Sequence, residues 1–204
     1  MYIPEYFREK NEDQIFAFLQ ANAFGQLISH VEGRLFCTHL PMLLADDRKS
    51  LLGHLAKANP QWQELMGQEV LVTFQGPHDY VSPSWYSKPA VPTWNYQAVH
   101  VYGHCALIEQ ETELAQMVDD LSRVYESAFE TPWQPQYAAA MLKSIVGVRI
   151  EISEIQCKFK ISQNRSLQDQ ENVAEQYKLS GQTDLYQVMQ HSIQQQNSNE
   201  EDLS

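Results

Sequence analysis

The chain has 204 residues, 43% of them hydrophobic, enough for a packed core in one large domain or one and a half. Asp and Glu number 26 against 14 Lys and Arg, a formal charge of −12. A field of that sign repels nucleic acid, and the basic clusters that could override it (Arg34, Arg48–Lys49 and Lys158–Lys160–Arg165) are thin and come with no helix-turn-helix pattern. The start, M-Y-I-P-E-Y-F-R-E-K, lacks the apolar centre of a signal peptide, and no apolar run reaches the length of a membrane span, so a cytoplasmic protein with no membrane partner is expected. Cys37, Cys105 and Cys157 are odd in number and form no C-x-x-C pair; they read as small buried thiols rather than a disulfide framework.

Asn11 followed by Gln14 resembles a capping box, and Ile15, Phe18 and Leu19 keep helical spacing, which predicts a helix over 12–22. Phe24 to His30 reads as a strand, Glu32–Gly33 as a tight turn, and Arg34 to Leu44 as a second strand that Pro41 marks as an edge or a bulge. Asp46–Ser50 is a polar turn before a short strand, Leu51 to Ala56. Asn59–Pro60 looks like an N-cap with proline at the first helical position, opening a short helix through Met66. Glu69 to Gln75 is strand-like.

The stretch from Gly76 to Gly103 crowds tryptophan, tyrosine, histidine and hydroxyl side chains between Pro77, Pro83, Pro89 and Pro92. Proline fixes φ and lacks the N–H, so this segment is expected to be a rigid irregular loop that ends in a strand, Gln97 to Ile108. In that strand Val99, Val101, Gly103, Cys105 and Leu107 share one face, and His100, Tyr102 and His104 the other. Leu114, Met117, Val118, Leu121, Val124, Tyr125 and Ala128 fit a helix over 112–129, and 136–144 is a further helix candidate. Ile145 to Ile152 and Ile155 to Ile161 read as two strands. Residues 167–195 form one or two helices, and the polar end from Gln194 is expected to lack fixed structure. Six or seven strands with short hairpins and outlying helices predict a mainly β, α+β fold, a small antiparallel barrel with helical decoration. Its boundaries are 1–180 for the barrel and 181–204 for a C-terminal helix and tail.

Four clusters carry chemistry. G-H-L-A-K-A-N-P-Q-W, residues 53–62, puts His54 and Lys57 at a strand-to-helix turn, where backbone N–H groups and a cation suit an anion; a routine turn with a surface lysine gives the same pattern. T-H-L-P, 38–41, carries His39 in a strand, a position more often structural than ligating. S-P-S-W-Y and P-T-W-N-Y interleave Trp85, Tyr86, Trp94 and Tyr96 with Ser82, Ser84, Thr93 and Asn95, which suits a planar ring with a polar edge or a phosphate; a proline-stapled aromatic mini-core is the competing reading. K-F-K-I-S-Q-N-R, 158–165, ends a strand in Ser162, Gln163, Asn164 and Arg165. No nucleophile elbow, P-loop, dinucleotide fingerprint or zinc spacing is present, so no catalytic residue and no metal are assigned.

With M-Y-I-P-E-Y-F, these pieces in this order resemble the PaiB-type FMN-binding negative transcriptional regulators, up to about residue 180. The resemblance implies an FMN-binding split β-barrel, in which FMN lies in a groove between the subunits of a homodimer. It implies a phosphate pocket of His54, Lys57 and Asn59, with His39 among the cofactor-binding residues. Ring and ribityl contacts would come from Ser82, Trp85, Thr93, Trp94 and Asn95, with Ser162, Gln163 and Asn164 reaching in from the partner. The function it implies is a flavin-dependent regulator or sensor. The alternatives are an FMN-dependent oxidoreductase, where the flavin carries the chemistry, and a haem-binding split barrel with His39, His100 or His104 as axial ligand. Direct DNA binding runs against the charge.

Overall fold

The computed structural model describes residues 1–135 and 139–201. Two compact units account for the chain. The larger holds Glu12–Phe74 and Val99–Gln156; the smaller holds Met1–Asn11, Gln75–Ala98 and Cys157–Ser204. The described residues form seven strands, β1 Phe24–Val31, β2 Arg34–Pro41, β3 Leu43–Leu44, β4 Ser50–Ala56, β5 Glu69–Val81, β6 Thr93–Ile108 and β7 Ile145–Lys160. Their order in one antiparallel sheet is β2-β1-β5-β6-β7-β4-β3, without a ladder closing it into a barrel. The helices are α1 Glu12–Ala21, α2 Trp62–Leu65, α3 Glu111–Glu126, α4 Ala139–Leu142, α5 Leu167–Leu179 and α6 Thr183–Glu201.

In the larger unit, Glu32 and Gly33 both take positive φ (51° and 73°), the two-residue turn whose twist suits a hairpin, and β1 and β2 pair from Phe24–Pro41 to Val31–Arg34. The run expected to extend to Leu44 instead stops at Pro41. Leu43–Leu44 pairs with β4, so the chain leaves one end of the sheet order and re-enters at the other. The two ends meet by packing: a Cβ on Gly53 of β4 would lie 2.8 Å from Met42 Sδ and 3.1 Å from the Pro41 carbonyl. Gly103 is required for a similar reason, since a Cβ there would sit 2.3 Å from the Glu151 carbonyl. Gln61 is fully buried and its amide donates to the Leu27 carbonyl (3.1 Å) and Ser29 Oγ (2.9 Å), tying the 57–61 turn to β1. Ile108, Leu114, Met117 and Leu142 pack as a cluster under α3.

In the smaller unit, α5 and α6 close over Val81 and Ile161, with Val173, Tyr177, Leu185 and Met189 at most 1% exposed. The N-terminal arm is docked here too. Arg8 bridges to Lys158, the Glu9 N–H donates to the Cys157 carbonyl, and the Lys158 ammonium donates to the Tyr2 carbonyl while lying over the Tyr2 and Tyr96 rings.

Several expectations are corrected. β5 continues through Pro77 to Val81, where an irregular loop was expected. Its ladder to β1 covers only Leu71–Thr73, so on that side Pro77 lies past the start of β1 and its missing N–H breaks no bond to β1. β7 is one strand rather than two; its polar middle, around Ser153 and Glu154, is exposed strand and contains no Gly or Pro to break it. The alternation along β6 slips near its end, so Ile108 is buried and Leu107 is not. Val124 and Tyr125, expected on the buried face of the helix, are about half exposed in α3, and Ala128 lies past its end. Cys37 is exposed, whereas Cys105 and Cys157 are buried, and burial pushes the Cys105 thiol up to about 12. The polar end is helical through Glu201; 202–204, like 136–138 of the helix expected over 136–144, lie outside the described residues. Among the described residues no helix is long and apolar enough to cross a membrane.

Candidate functional site

The residues singled out from sequence fall into two clusters, one in each unit. In the larger unit, β4 delivers His54 and the following turn delivers Lys57 and Asn59. The helix expected from Asn59–Pro60 is shorter than predicted: Trp62–Leu65 is helical, and 57–61 is a chain of turns. Asn59 holds that turn instead of capping a helix. Its Oδ1 accepts from the Gln61 N–H (3.0 Å) and its amide donates to Thr38 Oγ1 (2.9 Å). Trp62 adds a third clamp, donating Nε1–H to the Lys57 carbonyl at 2.9 Å. The Lys57 side chain is therefore exposed on a fixed backbone, and its ammonium takes no hydrogen bond or ion pair among the described residues. His54 is half-buried, its Nδ1 is buried without a partner, and burial lowers its pKa, which favours the neutral ring. A cavity of about 80 Å³ beside Lys57 is lined in part by Glu109, Glu111 and Lys143, so the local field is mixed.

His39 projects from exposed β2 and stacks loosely on Phe24, ring centroids 6.3 Å apart. His100, on β6, also has a buried Nδ1 without a partner and a pKa lowered by burial. No hydrogen bond or ring contact joins His39, His54 and His100 among the described residues.

In the smaller unit, β5 and β6 flank the aromatic loop and β7 supplies the S-Q-N turn. Ser82 Oγ accepts from the Ser84 N–H (3.3 Å) and bonds Ser84 Oγ (2.8 Å), capping a single 3-10 turn over Pro83–Trp85. Trp85 is half-buried, edge-on to Tyr177 at 5.7 Å. Trp94 is 52% exposed and edge-on to Tyr80 at 6.2 Å. Thr93 is half-buried, and its Oγ1 accepts from Lys160 Nζ at 2.7 Å; the same ammonium donates to the Trp94 carbonyl. Burial, then Lys158 and Arg165, lower the Lys160 pKa.

Asn95 and Ser162 are brought together, but with each other. Both are buried, the Asn95 amide donates to Ser162 Oγ (3.0 Å), and that hydroxyl donates back to Asn95 Oδ1 (3.1 Å). Ser162 pays for its place with a left-handed backbone, φ 72°, uncommon for a residue with a Cβ. Gln163 folds back on the strand, accepting from the Ile161 N–H (2.8 Å) and donating to the Phe159 carbonyl (2.5 Å). Asn164 is exposed.

Sequence reasoning gave Lys160, named only within a basic cluster, no role at the site, and it missed Gln61 and Asp169. The K-F-K alternation was the signal for Lys160, and Ser166 three residues before Asp169 was the signal for a capped helix.

The open antiparallel sheet with outlying helices is the fold of flavin-binding split barrels. It superposes on the flavocytochrome Anf3 from Azotobacter vinelandii with a TM-score of 0.61 at 16% identity, covering 78% of this chain and 72% of that one. It superposes on a FAD and heme binding protein from Mycobacterium smegmatis with a TM-score of 0.61 at 11% identity, covering 75% and 73%. At those identities the likeness is one of fold. Residues 1–154 match the family model described as "Putative FMN-binding domain", and the chain belongs to that family, whose cofactor is a flavin. It is 44% identical to protease synthase and sporulation protein PAI 2 of Bacillus subtilis over 86% of this chain and 88% of that protein. It is 32% identical to an uncharacterized protein of Aspergillus fumigatus over 89% and 92%.

The larger unit's cluster fits a flavin phosphate by its donor set. An unpaired ammonium on a clamped turn is a group that an anion would satisfy, and the neutral His54 ring adds a donor where its N–H tautomer faces the anion. In the smaller unit, the exposed Trp94 and half-buried Trp85 offer flat apolar faces, while Asn95 and Ser162 are already spent on each other.

Proposed function

We propose that the chain is a cytoplasmic, homodimeric flavoprotein of PaiB type, a negative regulator or flavin-dependent sensor that uses FMN to report rather than to turn over substrate. The observation that carries the flavin reading is the unpaired Lys57 ammonium on a clamped turn, three residues after a His54 whose Nδ1 has no partner, in a chain whose residues 1–154 match an FMN-binding family. His54, Lys57 and Asn59 hold the phosphate, with Asn59 acting through the turn it fixes. In the smaller unit, Trp85 and Trp94 are the ring contacts we propose, with Ser82 and Thr93 as polar contacts. Asn95, Ser162 and Gln163 brace their segments through their own hydrogen bonds, and the exposed Asn164 is free to reach a partner subunit. His39 stands at the rim. The regulatory reading is supported by the 44% identity to PAI 2, and the −12 charge favours output through a protein or small molecule over direct DNA contact.

The test is the absorption spectrum of the purified protein, an FMN titration and light scattering for the oligomeric state. Saturable FMN binding by a dimer, without NAD(P)H oxidation, is expected. Steady NAD(P)H oxidation through the bound flavin would make the protein an oxidoreductase. A Soret band, or no binding of any flavin, would overturn the reading.

A further inference from the structure

The family match ends at residue 154, yet the aromatic loop is held by residues well beyond it. An irregular segment with prolines at 83, 89 and 92 has few ladder hydrogen bonds of its own, so its order must come from outside. α5 and α6 supply that order along the whole stretch. The Tyr177 hydroxyl shares its proton between the carbonyls of Asp79 and Tyr80, both at 3.4 Å, at the end of β5 that leads into the loop. The Trp85 ring stands edge-on to Tyr177, and the Arg165 guanidinium, just before α5, lies 4.6 Å over the Tyr86 ring. At the far end the Asn95 amide donates to Met189 Sδ at 3.5 Å.

The middle of the loop is tied down by a carboxylate. Asp169 is 8% exposed, and its carboxylate accepts from the Ser87 N–H at 2.7 Å. A carboxylate in the first turn of a helix ordinarily faces its own N–H groups and solvent. Here Ser166 takes the capping role, its Oγ accepting from the Asp169 N–H at 3.2 Å, and the carboxylate is turned out of the helix onto the loop. The Ser87 N–H holds the Asp169 carboxyl below its ordinary value, so the bond is charge-assisted at neutral pH.

We infer that the C-terminal helix pair α5–α6 belongs to the flavin-binding apparatus, and that Asp169 is the positioning residue through which it sets the aromatic loop for the ring. The inference rests on the reading of Trp85 and Trp94 as ring contacts. It carries a reciprocal consequence: if helix docking helps the loop bind FMN, FMN must tighten α5–α6 by the same factor. Ligand state is then written into a C-terminal element that the FMN-binding family segment does not include, where a regulatory protein can be read.

The experiment uses the full chain as wild type, Asp169→Ala and Asp169→Asn. Three quantities are measured: the Kd for FMN, the rate of chymotryptic nicking at Trp85 and Tyr86, and amide exchange in α5 and α6 with and without FMN. In the wild type, FMN slows exchange in α5–α6. Asp169→Ala speeds nicking and weakens FMN by roughly tenfold each, as loss of a charge-assisted hydrogen bond should, and abolishes the FMN-dependent protection of the helices. Asp169→Asn keeps the shape and an acceptor, and restores most of all three. Unchanged nicking in Asp169→Ala overturns the inference. Faster nicking with unchanged Kd also overturns it, because the helices then hold a loop that does not serve the flavin. A wild type that binds no FMN sinks the flavin reading itself, whatever the variants do. Should Asp169→Ala fail to fold, Asp169→Asn carries the test: a rise of a few fold in nicking and Kd is expected from the lost charge, and no rise in either overturns the inference.

Discussion

The two clusters differ in how much of their polar chemistry is already used. In the larger unit the backbone is clamped by Asn59, Thr38 and Trp62, and the groups it presents are left over: an exposed Lys57 ammonium and a His54 Nδ1 without a partner. In the smaller unit the polar groups satisfy one another. Asn95 pairs with Ser162, Gln163 with its own strand, Lys160 with Thr93 and the Trp94 carbonyl. What the smaller unit leaves over is aromatic surface, chiefly Trp94. The difference teaches that a motif rich in Asn, Ser and Gln is not by that fact a set of ligand contacts. Buried amides and hydroxyls must find partners, and within a compact unit the nearest partner is often another motif residue.

Four substitutions or conditions break or sharpen that contrast. Lys57→Ala should weaken FMN by ~1–3 kcal/mol, about 5- to 150-fold, while leaving urea stability of the apoprotein within about 0.5 kcal/mol. A stability loss with unchanged Kd would move Lys57 to the structural side. Asn95→Ala should do the reverse first. It leaves the buried Ser162 hydroxyl without its partner and lowers apoprotein stability by about 1–3 kcal/mol, read from the urea midpoint. Undiminished stability with a weaker Kd would make Asn95 a direct contact.

The third test is pH. Burial lowers the folded-state pKa of both His54 and His100 below the ordinary 6.5. The unfolded chain therefore binds more protons than the folded one just below pH 6.5, so stability is complete above that value and falls as pH drops through it. His54→Gln should flatten part of that slope; an unchanged slope would show that His54 binds its proton equally well in the folded and unfolded chain. The carboxylate of Asp169, with its pKa lowered chiefly by the Ser87 N–H, contributes in a separate, more acidic window and is lost as pH falls through it. The smallest effect on stability is expected from Trp94→Ala, under about 0.5 kcal/mol for a half-exposed ring, but the bound flavin's absorption and fluorescence should shift. An identical spectrum would return Trp94 to the loop's own packing against Tyr80.

Much of the fold was legible because it follows from short-range rules. The Glu32–Gly33 hairpin, the strands at Phe24 and Leu51, the alternation of β6 and the α5 face of Val173 and Tyr177 are all written in period and turn chemistry. The errors came where a local signal was overruled by what lay next to it. Pro77 reads as a strand breaker, but on the β1 side it sits past the end of the ladder. Asn59–Pro60 reads as a helix start, but Asn59 is used up by Thr38 and Gln61.

For the site, the sequence by itself determined which residue types are available and roughly where: the order of the motifs, the aromatic loop, His54 and Lys57, and a formal charge of −12. Only the tertiary structure decided which of those groups remain unsatisfied. Asn95 and Ser162 lie 67 residues apart, and Ser87 and Asp169 lie 82 apart. Hydrogen bonds at such separations are set by how strands and helices pack, and no spacing along the chain encodes them. They decide whether a polar side chain is spent inside the fold or left for a ligand.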